Sequence, residues 1–123
     1  KILPDDRETL AKVMAVIADS QMADLILTTG GTGFSKTDCT PEATTDICER
    51  LVPGIPEAMR AASMKYTKRA MLSRAAAGIR KETLIINLPG SPKAVEESFA
   101  EILEEVIHGV EILTGQTAEC ARK

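Results

Sequence analysis

A chain of 123 residues fits one domain and is long enough to bury a core. Hydrophobic residues make up 44%, yet there is no Trp, one Tyr and two Phe, so packing falls to aliphatic side chains on interlocking helices and strands. The net charge of −3 provides no basic field for nucleic acid, and no apolar run reaches the roughly 18 residues of a membrane span.

Asp5 and Glu8 are spaced as a helix N-cap and its capping-box partner. The helix they start carries Leu10, Val13, Met14 and Ile17 as one apolar stripe and should end near Asp19-Ser20. The unbroken apolar run Leu25-Ile26-Leu27 then predicts a parallel strand over 24–29, covered on both faces. After Thr28-Thr29, three glycines fall within four residues, at Gly30, Gly31 and Gly33. Glycine lets the backbone turn sharply and press its N–H groups against a ligand. Beyond the loop, Thr40 reads as an N-cap, Pro41 as the first helical residue and Glu42 as part of the first turn. A strand, a glycine loop and a helix N-terminus in that order form an anion site, most often for phosphate. The alternative is a glycine turn with no ligand. Neither familiar phosphate motif is present: Ser35 precedes Lys36-Thr37 where a P-loop needs glycine, and Lys36 takes the place of a dinucleotide fingerprint's third glycine.

The next helix is predicted over 41–51, with Ala43, Ile47, Cys48 and Leu51 turned inward, until Val52-Pro53-Gly54 breaks it. A further helix over 55–66 has Ile55, Met59, Ala62 and Tyr66 on its apolar side. Residues 67–80 read as irregular structure with a brief strand and a turn at Gly78. Leu84-Ile85-Ile86 marks a second buried strand over 83–88, stopped by Pro89-Gly90. Ser91 caps the last helix, Pro92 opens it, and Val95, Phe99, Ile102 and Val106 recur at helical spacing. His108-Gly109 is the expected end, followed by a short strand or last turn at 110–113 and a loose tail from Thr114. These elements make a three-layer α/β domain with a mostly parallel central sheet. In such a sheet the loops after 24–29 and 83–88 open on the same carboxyl edge, where ligands bind.

Thr29-Gly-Gly-Thr-Gly33 and Asp38-Cys-Thr-Pro-Glu-Ala43 resemble the signature of the molybdenum-cofactor biosynthesis Mog/MoaB family. The likeness continues through Ala70-Met-Leu-Ser-Arg74, Gly78-Ile-Arg80 and Leu84-Ile-Ile-Asn-Leu-Pro-Gly-Ser-Pro-Lys93. It implies a single molybdopterin-binding domain over 1–123, assembled as a homotrimer, with ATP and molybdopterin as substrates. It also implies a preceding strand and helix, with a ligand loop between them. Lys1–Asp6 reads as the end of a strand, so the expectation is a domain without that first strand and helix.

Asp38 lies beside the predicted phosphate loop, where a carboxylate would be repelled unless it holds a cation; magnesium fits that place. An Asx-turn is the competing reading. The resemblance implies a catalytic aspartate at Asp38 and another at Asp5, in the match Leu3-Pro4-Asp5; Asp6 could then take over the helix cap. Thr29, Gly30, Gly31, Thr32, Gly33, Thr40, Pro41 and Glu42 complete the first candidate phosphate site. Asn87, Pro89, Gly90, Ser91 and Lys93 form a second, with the helix start supplying free N–H groups. Ser73 and Arg74 add a pair in which Arg74 could fork onto a phosphate, although each of these cations could equally be solvated surface. His108 has no partner at catalytic spacing, and Cys39, Cys48 and Cys120 form no CxxC pair, which points away from zinc and disulfides and toward a reducing cytoplasm.

The function implied by the resemblance is magnesium-dependent adenylyl transfer from ATP to molybdopterin, releasing pyrophosphate. The alternative is a non-catalytic molybdopterin-binding or molybdenum-insertion module of the same fold. Neither needs nucleic acid or a membrane as a partner.

Overall fold

The computed structural model describes residues 1–116; Cys120 and the end of the tail lie outside them. A four-stranded sheet of order β1-β4-β3-β2 is built from β1 (Leu25–Thr29), β2 (Arg50–Leu51), β3 (Ala77–Arg80) and β4 (Thr83–Leu88). Four α-helices pack on it: α1 (Arg7–Asp19), α2 (Thr40–Ile47), α3 (Gly54–Met64) and α4 (Pro92–Leu113), with a 3-10 turn at Lys68–Leu72. The sheet is mixed: β1 runs parallel to β4, while β3 pairs antiparallel with both β4 and β2.

β4 is the axis of the fold, and all six of its residues are buried. Successive strand side chains point to opposite faces, and β4 uses both. Leu84, Ile86 and Leu88 join Met59 of α3 and Ile102 and Val106 of α4 in one cluster. Ile85 faces the other way, into a cluster with Met14 of α1 and Ala43 of α2. The expected three layers follow, with α1 and α2 on one face and α3 and α4 on the other. Burying each of Ile85 and Ile86 contributes about 2–3 kcal/mol.

Several local expectations are corrected. β1 is an edge strand, so Leu27 is 41% exposed rather than covered. Residues 1–5 pair with no strand. The cap of α1 is Asp6, whose carboxylate accepts from Thr9 N at 3.0 Å; the partner is Thr9, not Glu8. Cys39 occupies the N-cap position of α2, which puts Thr40 inside the first turn and buries it. α2 stops at Ile47 because Cys48 turns extended to enter β2, which leaves Leu51 exposed. α4 continues past His108-Gly109 to Leu113, and the helix-ending glycine is Gly115 at φ +80°. Gly78 is no turn but a strand position pressed on Cys48, where a Cβ would stand 2.6 Å from Sγ. The turn follows at Lys81, at φ +52°, with its N–H held by Glu49 at 2.8 Å.

Two arginines tie α1 to its surroundings. Arg80 forks onto Asp19 at 2.8 and 2.9 Å and also donates to Ile47 O at 2.8 Å. Arg7 binds both oxygens of Asp46 at 2.7 Å.

Candidate functional site

The parallel β1–β4 register ends at Thr29↔Leu88, so the two chains leave the sheet side by side. Gly30 N extends the ladder by donating to Leu88 O at 3.1 Å. A Cβ on Gly90 would lie 3.4 Å from Gly30 Cα, so the two expected loops do converge on one edge.

Gly30 and Gly31 adopt φ of +86° and +71°, the left-handed region that favours glycine. The carbonyls of Gly31, Thr32 and Gly33 are held by protein donors. Gly31 O accepts from Thr40 N at 3.2 Å and Thr32 O from Arg74 N at 2.8 Å, while Gly33 O accepts from Arg74 Nε at 2.7 Å. By contrast, among the described residues no protein acceptor pairs with the N–H groups of Gly31, Thr32 or Gly33. Bound carbonyls and free N–H groups in succession make a concavity suited to an anion. The start of α4 adds the positive end of a 22-residue helix, with Ser91 Oγ capping Ala94 N at 3.4 Å and Lys93 exposed beside it.

Asp38 is partly exposed, and its Oδ2 accepts from Ser35 N at 3.0 Å. The Asx-turn weighed against a ligand role is not made, since Asp38 reaches back to Ser35 rather than two residues on and Thr40 N goes to Gly31 O; the Ser35 bond takes only one carboxylate oxygen. Asp5 is exposed and lines a cleft of about 270 Å³ with Thr29, Thr40, Val13 and Ile26. A second cleft, of about 300 Å³, is bordered by Thr32, Gly33, Ser73 and Pro89, with Met59 and Ser98 in its lining. The larger cleft thus takes in Thr32 and Gly33 of the glycine loop, and the smaller one reaches Thr29 and Thr40, the residues that flank it in sequence.

Three expected ligand contacts are otherwise engaged. Arg74 does not reach outward to fork a phosphate. Its Nη2 donates to Asp38 O at 2.9 Å and its Nη1 binds Glu42 Oε2, besides the bond from Nε to Gly33. Glu42 is accordingly an ion-pair partner, and the Arg74 guanidinium holds its carboxyl below the ordinary value. Asn87 is wholly buried: Oδ1 accepts from Ala76 N at 3.0 Å, and Nδ2 donates to Thr28 Oγ1 at 3.0 Å and Thr44 Oγ1 at 2.8 Å. Pro41 is buried in the first turn of α2, and Ser73 Oγ accepts from Ala75 N at 3.2 Å at the edge of the larger cleft.

Sequence reading missed Arg60, Ser63 and Ser98, which also line that cleft. The available signal was a small polar residue four positions after Met59 and after Ala94, interrupting the apolar sides of α3 and α4. Burial pushes the Cys39 thiol up, helped by the charges of Asp5, Asp6 and Glu42. Burial likewise pushes the Cys48 thiol up to about 11. Among the described residues, no helix is long and apolar enough to cross a membrane.

Two glycine-bearing loops thus meet at one sheet edge of a three-layer α/β domain. Residues 1–109 match the family model described as "Probable molybdopterin binding domain", and the chain belongs to that family. It is 40% identical over 123 residues to the molybdopterin adenylyltransferase of Helicobacter pylori, spanning 100% of this chain and 70% of that protein. The molybdopterin adenylyltransferase of Escherichia coli is 37% identical over 114 residues, or 89% of this chain and 58% of its own length. Among solved structures, the molybdopterin biosynthesis enzyme MoaB from Thermus thermophilus superposes with a TM-score of 0.84 at 46% identity, covering 91% of this chain and 70% of that one.

Proposed function

We infer that the chain is a nucleotidyltransferase of molybdenum cofactor biosynthesis, adenylylating molybdopterin with ATP. The observation that carries this reading is the glycine loop, with bound carbonyls and free N–H groups, which lines the larger cleft and is flanked in sequence by residues of the smaller. A phosphate-bearing ligand in each cleft would bring its phosphate to the same backbone. The relatives' names supply the two substrates. A terminal phosphate oxygen of molybdopterin attacks the α-phosphorus of ATP, the bond from that phosphorus to the β-bridging oxygen breaks, and pyrophosphate leaves with the electron pair.

Such a reaction asks the protein mainly to align two anions and offset their repulsion. Gly31, Thr32 and Gly33 supply N–H donors from one loop; Gly90, Ser91 and Lys93 supply a helix start and an ammonium from the other. Magnesium would be held by Asp38 together with phosphate oxygens. No set of three metal-ligating side chains gathers among the described residues, and magnesium commonly uses one or two carboxylates plus phosphates. When bound, it neutralises phosphate charge. Glu42 gives Oε2 to Arg74, and its Oε1 is buried without a protein partner among the described residues. Asp5, on the smaller cleft, is proposed to orient the substrate there. Two carboxylates beside phosphate do not suit the alternative, a pure binding module.

The protein is further proposed to be cytoplasmic and homotrimeric. Support for the trimer is exposed apolar surface, including Tyr66, Leu103 and Ile107 at 65%, 42% and 52%. Met59 faces the chain's own core and cannot serve the interface; exposed Ala58 and Ala61 can. A single-chain mass by light scattering at micromolar concentration contradicts the trimer. Titrating molybdopterin and Mg-ATP while following pyrophosphate tests the activity: release that needs both substrates supports it, and binding without release favours the non-catalytic module.

A further inference from the structure

We propose that Arg74 is the positioning residue of the glycine loop: it draws the loop carbonyls away from the ligand and so leaves the N–H groups to form the anion cradle. The proposal rests on the reading of that loop as a phosphate site. A peptide unit presents its N–H on one side and its carbonyl on the other, so a loop recognises an anion only when its carbonyls are turned elsewhere and kept there. Arg74 provides for this at several points. Its main-chain N–H takes Thr32 O at 2.8 Å, in the peptide unit that carries Gly33 N–H; Nε takes Gly33 O at 2.7 Å, in the unit that carries Phe34 N–H, which no protein acceptor among the described residues takes up; and Nη2 takes Asp38 O at 2.9 Å, where the loop runs into α2. The remaining arm, Nη1, binds Glu42 Oε2 in the first turn of α2, fixing the guanidinium to the helix that the loop feeds.

The fork is what matters. Guanidinium is planar and carries five donors, so one side chain can hold two carbonyls and a carboxylate in fixed directions. Lysine offers one point charge and cannot span the same three acceptors. Arg74 itself comes from the stretch between the 3-10 turn and β3, 41 residues from Gly33 in sequence, so the loop's shape depends on a distant segment. Ser73, its neighbour, borders the larger cleft.

The test measures calorimetric binding of inorganic pyrophosphate, with magnesium at a fixed excess, to the wild-type chain, R74K, R74A and the double variant R74A/E42A. Urea unfolding shows which variants are folded at the assay temperature. The expected result is at least about a tenfold loss of affinity in R74A, a loss of at least about threefold in R74K, and a double variant as weak as R74A. Should R74A not fold, R74K decides. Wild-type affinity in a folded R74K or R74A, even with a shifted unfolding midpoint, makes Arg74 a structural tie only and overturns the proposal. Recovery in R74A/E42A also overturns it, because Arg74 would then merely neutralise Glu42. If the wild-type chain itself binds no pyrophosphate, the phosphate reading of the loop fails, and the proposal with it; that outcome is distinct from a failure confined to the Arg74 variants.

Discussion

Gly31 and Thr40 meet across the mouth of the site: Thr40 N donates to Gly31 O at 3.2 Å, and a Cβ on Gly31 would overlap Thr40 Oγ1. With φ at +71°, Gly31 is held by both conformation and space. Gly31→Ala should cost about 1–2 kcal/mol for the left-handed backbone and about 1–3 kcal/mol for the overlap. Adding Thr40→Ala should recover the second part and not the first. Urea unfolding of both variants measures this, and a Gly31→Ala protein of wild-type stability would refute the close approach.

Asp38→Asn should keep the fold, since the amide oxygen can still accept from Ser35 N as Oδ2 now does at 3.0 Å. Adenylyl transfer should nevertheless slow at least about tenfold, equal to about 1.4 kcal/mol of barrier. Steady-state pyrophosphate release is the measurement. Unchanged turnover would confine Asp38 to its turn.

Asn87→Ala should act on stability. It removes three hydrogen bonds and orphans Ala76 N beneath α2, a loss of about 2–4 kcal/mol. An unfolding midpoint within error of wild type would show that this buried network contributes nothing.

The Glu42–Arg74 pair predicts how stability varies with acidity. The folded-state pKa of Glu42 is depressed below its ordinary 4.5, so its contribution is fully present above that value and is lost as pH falls through the folded-state pKa. The stability gap between wild type and Glu42→Gln should therefore be open at pH 6–7 and close in stronger acid. Unfolding midpoints across that range measure it; a gap independent of pH would mean that the carboxylate charge is not what Arg74 holds.

The loops and the strand between the layers were legible because their signals are local. Leu84-Ile85-Ile86 is apolar without interruption, and β4 is buried on both faces; glycines and Ser91-Pro92 mark where the chain must turn and where α4 must start. The same pattern at Leu25–Leu27 misled, since covering both faces of β1 depends on neighbours that a strand cannot specify by itself. Gly78 was misread for a related reason. Glycine signals either a turn or a close approach, and only the position of Cys48 decides between them. For polar residues the ambiguity is deeper. Arg74 and Asn87 carry donors that could bind phosphate, but such donors serve a protein acceptor as well as a ligand. Which one they serve is a tertiary fact. Asp5 and Asp6 differ by one residue, and the register of α1 assigns the cap to Asp6.

The most direct test of the central claim follows the α-phosphate of ATP. The chain is incubated with molybdopterin, magnesium and ATP labelled at either the α- or the γ-phosphorus. The account predicts that α-label appears in adenylylated molybdopterin, with an equal amount of pyrophosphate, and that no γ-label enters that product. Molybdopterin that binds but never acquires α-label, or that acquires γ-label instead, would contradict it.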